Sequence, residues 1–212
     1  MSESPRERYR AQVREEIKRH AWEQIAAAGV PALSLNAIAK QVGMSGPALY
    51  RYFASRDELI TALIRDAYRS LADTVRAARD AGAGVAGLAT TIRDWARRDP
   101  QRYFLVYGTP VPGYHAPGDT TAISSEVMAA VLEACAEEAG EEEPPTPFDA
   151  HLETHREWAG DHPAPAAVLH RALSFWTRLH GVLSLELAGH FAGMKFDPDL
   201  LITEELAALR PR

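Results

Sequence analysis

The chain has a single cysteine, Cys135, in 212 residues. An intramolecular disulfide and a cysteine-rich zinc site are therefore excluded, and a reducing compartment is indicated. No apolar run approaches the roughly 18–20 residues that span a bilayer. Residues 1–8 lack the apolar core of a secretory signal. A cytoplasmic protein with no membrane partner is expected. Strand signals are nearly absent, because no convincing run alternates apolar and polar residues between turn residues. There is no glycine-rich phosphate loop in a strand–helix setting and no nucleophile elbow. No catalytic residue, cofactor or enzymatic role is therefore assigned. An overall excess of positive charge is also missing: the formal charge is -6, which rules out a uniformly basic nucleic-acid coat.

The mean charge hides a split. Residues 1–60 hold 9 Lys/Arg against 7 Asp/Glu, while residues 61–212 hold 14 against 22. A basic head on an acidic body suggests two tasks on one chain. Hydrophobic content of 46 % suffices for a core.

Helical periodicity runs through the whole chain, predicting an all-α protein of about nine or ten helices. Val13, Ile17, Ala21, Ile25 and Ala28 repeat at three and four from about Arg8, with Gly29 where a C-terminal cap would sit. Ser34 precedes a short helix carrying Leu35, Ile38, Ala39 and Val42, and Gly43 closes it. Ser45 opens a third helix with Pro47 in its first turn. Ser55 and Glu58 form a capping-box pattern before a long helix carrying Leu59, Leu63, Ala67 and Leu71. Further helices are predicted over 85–98, after Pro100, over 120–139, 148–159 and 166–191, and after Pro198. The Pro/Gly-rich stretch 108–118 and the acidic stretch 141–147 read as loops.

Two short helices joined through Gly43 and Ser45 form a helix-turn-helix pattern. Its first helix braces against the core through Leu35, Ile38 and Val42. Its second must be short, capped and polar outside to lie in a DNA major groove. In that second helix Leu49 and Phe53 can face inward, leaving Gly46, Pro47, Ala48, Tyr50, Arg51 and Tyr52 outside. Arg6, Arg8, Arg10 and Arg14 are expected to add phosphate contacts.

Residues 17–60 resemble the N-terminal DNA-binding domain of the tetracycline-repressor (TetR) family of bacterial regulators. Ala21, Ile25, Gly29, Ser34, Ile38, Ala39, Gly43, Ser45, Leu49, Tyr50, Tyr52, Phe53, Arg56, Glu58 and Leu59 carry the match. His20 and Gln24 depart from the small or apolar residues usual there, and Arg56 replaces the usual Lys. The resemblance implies phosphate contacts at Ser34, Ser45, Tyr50, Tyr52 and Arg56, and base contacts at or near Gly46, Pro47, Ala48 and Arg51. It implies a head over 1–55 and a helical effector-binding and dimerisation body over 56–212. The function implied is a homodimeric one-component transcriptional regulator, a repressor released from a pseudo-palindromic double-stranded DNA operator by a small molecule. Trp176, His180 and Gly181 look like the Trp–His–Gly signature of one C-terminal subgroup.

The apolar segment 166–191 calls for cover on both sides. A two-fold partner would supply it, with Leu169, Leu173, Leu179, Leu183 and Leu187 at the interface. Trp95, Tyr103, Phe104, Tyr107, Met128, Trp176 and His180 are the candidate effector contacts, converging on a gap gated by the 108–118 loop. No Lys or Arg points there, so a neutral, largely apolar ligand is expected. His180 reads first as a core histidine satisfied by hydrogen bonding, with the effector contact as the functional reading. The rival reading is a helical metal-binding protein or small-molecule enzyme with no DNA role. His151 and His155 have chelating spacing, with His162 or Glu157 as a third ligand, but not the His-Glu-x-x-His order, and no metal is assigned. Acids beside Cys135 would raise its pKa and blunt it as a nucleophile.

Overall fold

The computed structural model describes residues 4–108, 118–140 and 144–209. These residues form ten α-helices and two short 3-10 turns, and no strand occurs among them. The contacts group them into two compact units, one drawn from 1–67 and 101–117, the other from 68–100 and 118–212.

The first unit opens with α1 (Pro5–Ala28). Its start lies earlier than periodicity alone placed it, because Ser4 and Glu7 form a reciprocal capping box around Pro5. Glu7 N–H donates to Ser4 Oγ at 3.3 Å, and Ser4 N–H donates to the Glu7 carboxylate at 2.8 Å. A 3-10 turn (Val30–Ala32) leads to α2 (Leu35–Gln41) and α3 (Gly46–Leu49). The start of α4 (Arg56–Asp80) and the residues of α6 (Pro100–Tyr107) from Gln101 onward complete the unit. Its core contains Ile17, Ala21 and Ile25 of α1, Ile38 of α2, Leu49, Phe53, and Leu59, Ile60 and Leu63 of α4.

The second unit holds the rest of α4 with α5 (Val85–Arg98), α7 (Gly118–Glu137), α8 (Pro147–Leu152), α9 (Ala166–Leu187) and α10 (Pro198–Ala207). No side chain at its own start caps α5. Instead Glu138, just past α7, accepts the Val85 N–H at 2.7 Å. A Cβ on Gly84 would stand 2.1 Å from that carboxylate, so glycine leaves room for this position of the Glu138 side chain.

Several expectations change here. The predicted 148–159 helix is the single α8 plus a separate 3-10 turn (Glu157–Ala159). Pro147, read as part of a breaker, is the first residue of α8, capped reciprocally by Thr146 and Asp149. The helix gives way to a tighter turn, in which the Thr154 N–H donates to the His151 carbonyl at 3.3 Å and the His155 N–H to the Leu152 carbonyl at 3.2 Å, and His155 Nδ1 and Thr154 Oγ1 join on the His151 carbonyl at 2.9 and 3.2 Å. The α9 helix ends at Leu187 and not near Phe191. Gly189 turns the chain at φ 79°, and the His190 N–H closes onto the Leu185 carbonyl at 3.0 Å. Residues 109–117 of the predicted gating loop, and 141–143 of the acidic stretch, lie outside the described residues.

Leu169, Leu179 and Leu183 are corrected from interface to core. Each is buried within the single chain, because α5, α7, α8 and α10 all pack against α9. Leu173 and Leu187 remain partly exposed, and Thr177, Gly181 and Leu185 are exposed. Gly181 is not there for a close approach within the chain, since a Cβ on it would meet nothing within 4 Å.

One charged cluster ties three helices of this unit together. Arg93 of α5 donates to both carboxylate oxygens of Glu186 on α9, at 2.9 and 2.8 Å, and pairs with Asp199 of α10 at 2.6 Å. The Glu186 carboxylate holds the Arg93 guanidinium charged against the opposing effect of burial, with Asp199 assisting. Arg93→Ala should destabilise the fold by about 2 kcal/mol, because it leaves the part-buried Glu186 carboxylate with only Arg97, 3.8 Å away, as a counter-charge. The double variant Arg93→Met/Glu186→Leu should cost clearly less, which urea denaturation of both proteins checks. Burial also pulls His180 down from the ordinary histidine value of 6.5 to about 4. Its neutral form therefore stabilises the fold above pH 6.5, and that contribution is lost as pH falls from 6.5 toward 4. Between those limits His180→Gln should show a shallower loss of stability than wild type, by on the order of 2 kcal/mol in thermal or urea unfolding.

Candidate nucleic-acid interface

The helix-turn-helix is built by local rules that are visible atom by atom. Ser34 caps α2, its Oγ accepting the Ala37 N–H at 3.3 Å. Gly43 turns the chain at φ 74°, a conformation disfavoured for residues with a Cβ. Pro47 sits in the first turn of α3. Ser45 is at the cap position but its side chain makes no capping bond, so its hydroxyl stays available to solvent or a ligand. At Gly46 an added Cβ would come within 3.3 Å of Asn36 Oδ1, which shows how closely α3 starts against α2.

Leu49 and Phe53 are fully buried, as predicted, and hold α3 down. Opposite them Ser45, Pro47, Tyr50 and Arg51 are exposed, and Ser34, Gly46, Ala48, Tyr52 and Arg56 are partly exposed. The face therefore offers hydroxyls, a guanidinium and small residues that permit close approach, a set that suits phosphate oxygens and base edges.

Arg56, assigned to phosphate by resemblance, is also a structural group. Its Nε donates to the Leu33 carbonyl at 3.3 Å and its Nη2 to the Val30 carbonyl at 2.7 Å. Two donors are committed to bracing the 3-10 turn against α4. Gln24, an odd residue by family pattern, is explained the same way: its Oε1 accepts the Ser34 N–H at 2.9 Å. The other departure, His20, pairs with Glu23 at 2.9 Å. Sequence reasoning also missed Arg10 and Arg14 as structural groups. Arg10 Nη2 donates to the Arg51 carbonyl at 3.3 Å, and Arg14 Nη1 donates to the Tyr52 carbonyl. Their i, i+4 spacing on α1 was readable, but their partners about forty positions away were not.

The predicted effector residues divide between the units. Tyr103, Phe104 and Tyr107 of α6 belong to the first, where Tyr103 is fully buried with its ring 5.6 Å from Phe104 and 5.4 Å from Tyr107. Trp95, Met128, Trp176 and His180 belong to the second. Trp95 is buried, and its indole N–H donates to Ser70 Oγ at 3.2 Å. The Trp176 and His180 rings lie 4.2 Å apart on a partly exposed part of α9. A cleft of about 860 Å³ opens in the second unit, lined by Val85, Ile202, Arg93, Arg171, Glu138 and Asp199 among others. None of the predicted effector residues lines it. Its guanidiniums are matched by carboxylates, Arg93 by Glu186 and Asp199, and Arg171 by Glu138 at 3.4 Å. The cleft therefore carries no uncompensated cation for a phosphate ligand.

His151 and His155 stack with ring centroids 3.9 Å apart. His162 instead accepts the Ala164 N–H at 3.2 Å through Nδ1. No group of three or more His, Cys, Asp or Glu suited to a metal occurs among the described residues. Cys135 is buried and its thiol is pushed up to about 11, chiefly by that burial, with the Glu138 charge adding a little and Arg171 opposing. Burial, more than the neighbouring acids, blunts it. No described helix is long and apolar enough to cross a membrane.

Comparison with known proteins gives this geometry its context. Residues 17–63 match the profile of bacterial regulatory proteins of the tetR family, and residues 85–209 match that of the tetracyclin repressor-like C-terminal domain. The HTH-type transcriptional regulators Rv1816 of Mycobacterium tuberculosis and Mb1846 of Mycobacterium bovis are each 37 % identical, over 94 % of this chain and 92 % of theirs. The crystal structure of a regulatory protein named SCO4313 superposes with a TM-score of 0.90 at 67 % identity, covering 97 % of this chain and 98 % of that one. A protein of unknown function from Rhodococcus sp. RHA1 shares the fold, with a TM-score of 0.65 at 22 % identity over 92 % of both chains. The chain belongs to the tetR family of bacterial regulatory proteins and is a helix-turn-helix, DNA-binding transcriptional regulator.

Proposed function

We propose that the protein is a cytoplasmic, homodimeric repressor that leaves its operator when a small molecule binds the body. The exposed face of α3, with Pro47, Tyr50 and Arg51 outward over buried Leu49 and Phe53, carries the DNA part of this reading. Two copies would place their α3 helices in successive major grooves, about 34 Å apart on a pseudo-palindrome. Ser34, Ser45, Tyr50, Tyr52 and Arg56 contact phosphates in this arrangement, helped by the exposed Arg6 and Arg8, and Gly46, Pro47, Ala48 and Arg51 lie at base edges. The functional division puts the DNA-binding head at 1–55 and the effector and dimerisation body at 56–212.

The dimer surface in this reading is the outer side of α9 and α10. Leu185 is 46 % exposed and Leu200 66 % exposed. Gly181 on the same outward side of α9 leaves open space above it, which lets a partner helix come close. For the effector, the support is Trp176 beside His180, whose imidazole is neutral near pH 7. With the Arg residues of the cleft already paired, this favours a neutral, largely apolar ligand. The pair, with Gly181, also supports placing the body in the Trp–His–Gly subgroup. Ligand then acts by its different affinity for the DNA-competent and DNA-incompetent states.

Sequencing of DNA selected by the purified protein should return a pseudo-palindrome, and its affinity should fall with salt at a log–log slope of about -0.9 per neutralised phosphate. A slope near zero on the selected site would overturn this docking. A ligand-library thermal-shift screen should favour neutral apolar compounds over phosphorylated ones, and the compounds that stabilise the protein should release the selected DNA. Leu185→Glu should sediment as a monomer with unchanged far-ultraviolet circular dichroism and should lose operator binding. A stable Leu185→Glu dimer would move the interface elsewhere.

A further inference from the structure

The geometry points to Arg10 and Arg14 of α1 as positioning residues for DNA recognition, clamping the C-terminal end of α3 and not neutralising phosphates. This rests on the reading of α3 as the DNA-reading element. The helix spans four residues, far below the length at which helices hold themselves in water. Its continuation consists of single turns, with the Arg51 N–H on the Ala48 carbonyl at 3.3 Å and the Tyr52 N–H on the Leu49 carbonyl at 2.8 Å. The chain then leaves through Phe53, and α4 begins only at Arg56. The carbonyls of Arg51 and Tyr52 thus lie past the end of the helix.

Arg10 and Arg14 occupy those two carbonyls, one each. They stand one turn apart on α1, so a single helix face meets two successive peptide groups. The Arg14 guanidinium also lies over the ring of fully buried Phe53, 4.1 Å from its centroid. A guanidinium fixed by a carbonyl on its edge and a ring on its face is held in a defined place. Cations at a helix C-terminus also complement the helix dipole. The residues between the clamped carbonyls and the buried Leu49 are Tyr50, Arg51 and Tyr52, three of the proposed DNA contacts. Their direction is therefore set from α1.

The test compares wild type, Arg14→Ala, Arg14→Lys and Arg10→Ala on the selected operator over a range of salt, with amide hydrogen exchange of each free protein. Arg14→Ala should lose about tenfold in affinity, the size expected of a charge-assisted hydrogen bond. Its salt slope should match wild type, and exchange should quicken at 50–53 with α2 unchanged. Arg14→Lys should recover part of the affinity, and Arg10→Ala, whose bond is exposed and longer, should lose a few-fold. A slope flatter by about 0.9 would show a lost phosphate contact and overturn the clamp. Unchanged affinity, or exchange that quickens throughout the head or nowhere, would overturn it as well. Should Arg14→Ala fail to fold, Arg14→Lys and Arg10→Ala carry the same comparison. If wild type selects no DNA, the α3 reading fails, while exchange in the free protein still decides whether the clamp exists.

Discussion

A helix of one turn cannot stand alone, and the head of this protein is arranged around that fact. Nucleating a helix fixes several backbone angles for a single hydrogen bond, so α3 exists only through its surroundings. Leu49 and Phe53 sink its inner side into the core. Asn36 crowds its first residue, and Arg10 and Arg14 hold the carbonyls beyond its last. Arg56 ties the 3-10 turn before α2 back to α4. These contacts lie on the inner side or at the ends. On the outer side Pro47, Tyr50 and Arg51 are exposed. Placing a reading surface on so short an element works only when its support is rigid.

The body solves a different problem, that of joining many helices with few capping residues of their own. Its solution uses charged side chains that reach between helices. Glu138 caps α5 from the end of α7, and Arg93 gathers α9 and α10 onto α5. Such pairs contribute modest net stability, but losing one member leaves a charge without a partner. They therefore fix which helices meet more than how firmly. With α5, α7, α8 and α10 around it, α9 completes its core within one chain. Its remaining apolar side, around Leu185, stays exposed in the single chain.

Most helices were legible because their signals are local. The period of Val13, Ile17, Ala21 and Ile25 places α1, and Ser34 and Gly43 bracket α2 through cap and turn rules that involve neighbours only. The face of α3 followed from the same logic, since Leu49 and Phe53 are four apart and the residues between them must point elsewhere. The end of α8 was not legible: the backbone tightens there, with side chains of His155 and Thr154 joining on the His151 carbonyl, and periodicity carries no record of that turn.

The sequence by itself determined the all-helical fold, the helix-turn-helix and its outward residues, because hydrophobic period, caps and turns act over a few positions. Tertiary structure alone decided what each long polar side chain does. Arg10, Arg14 and Arg56 looked like cations awaiting phosphate, and they bond to carbonyls 23 to 41 positions away. Leu169, Leu179 and Leu183 looked like a surface awaiting a partner, and the same chain covers them. An apolar or basic side chain states what kind of neighbour it needs. Which neighbour fills that need depends on how distant segments pack, and that is a property of the folded chain.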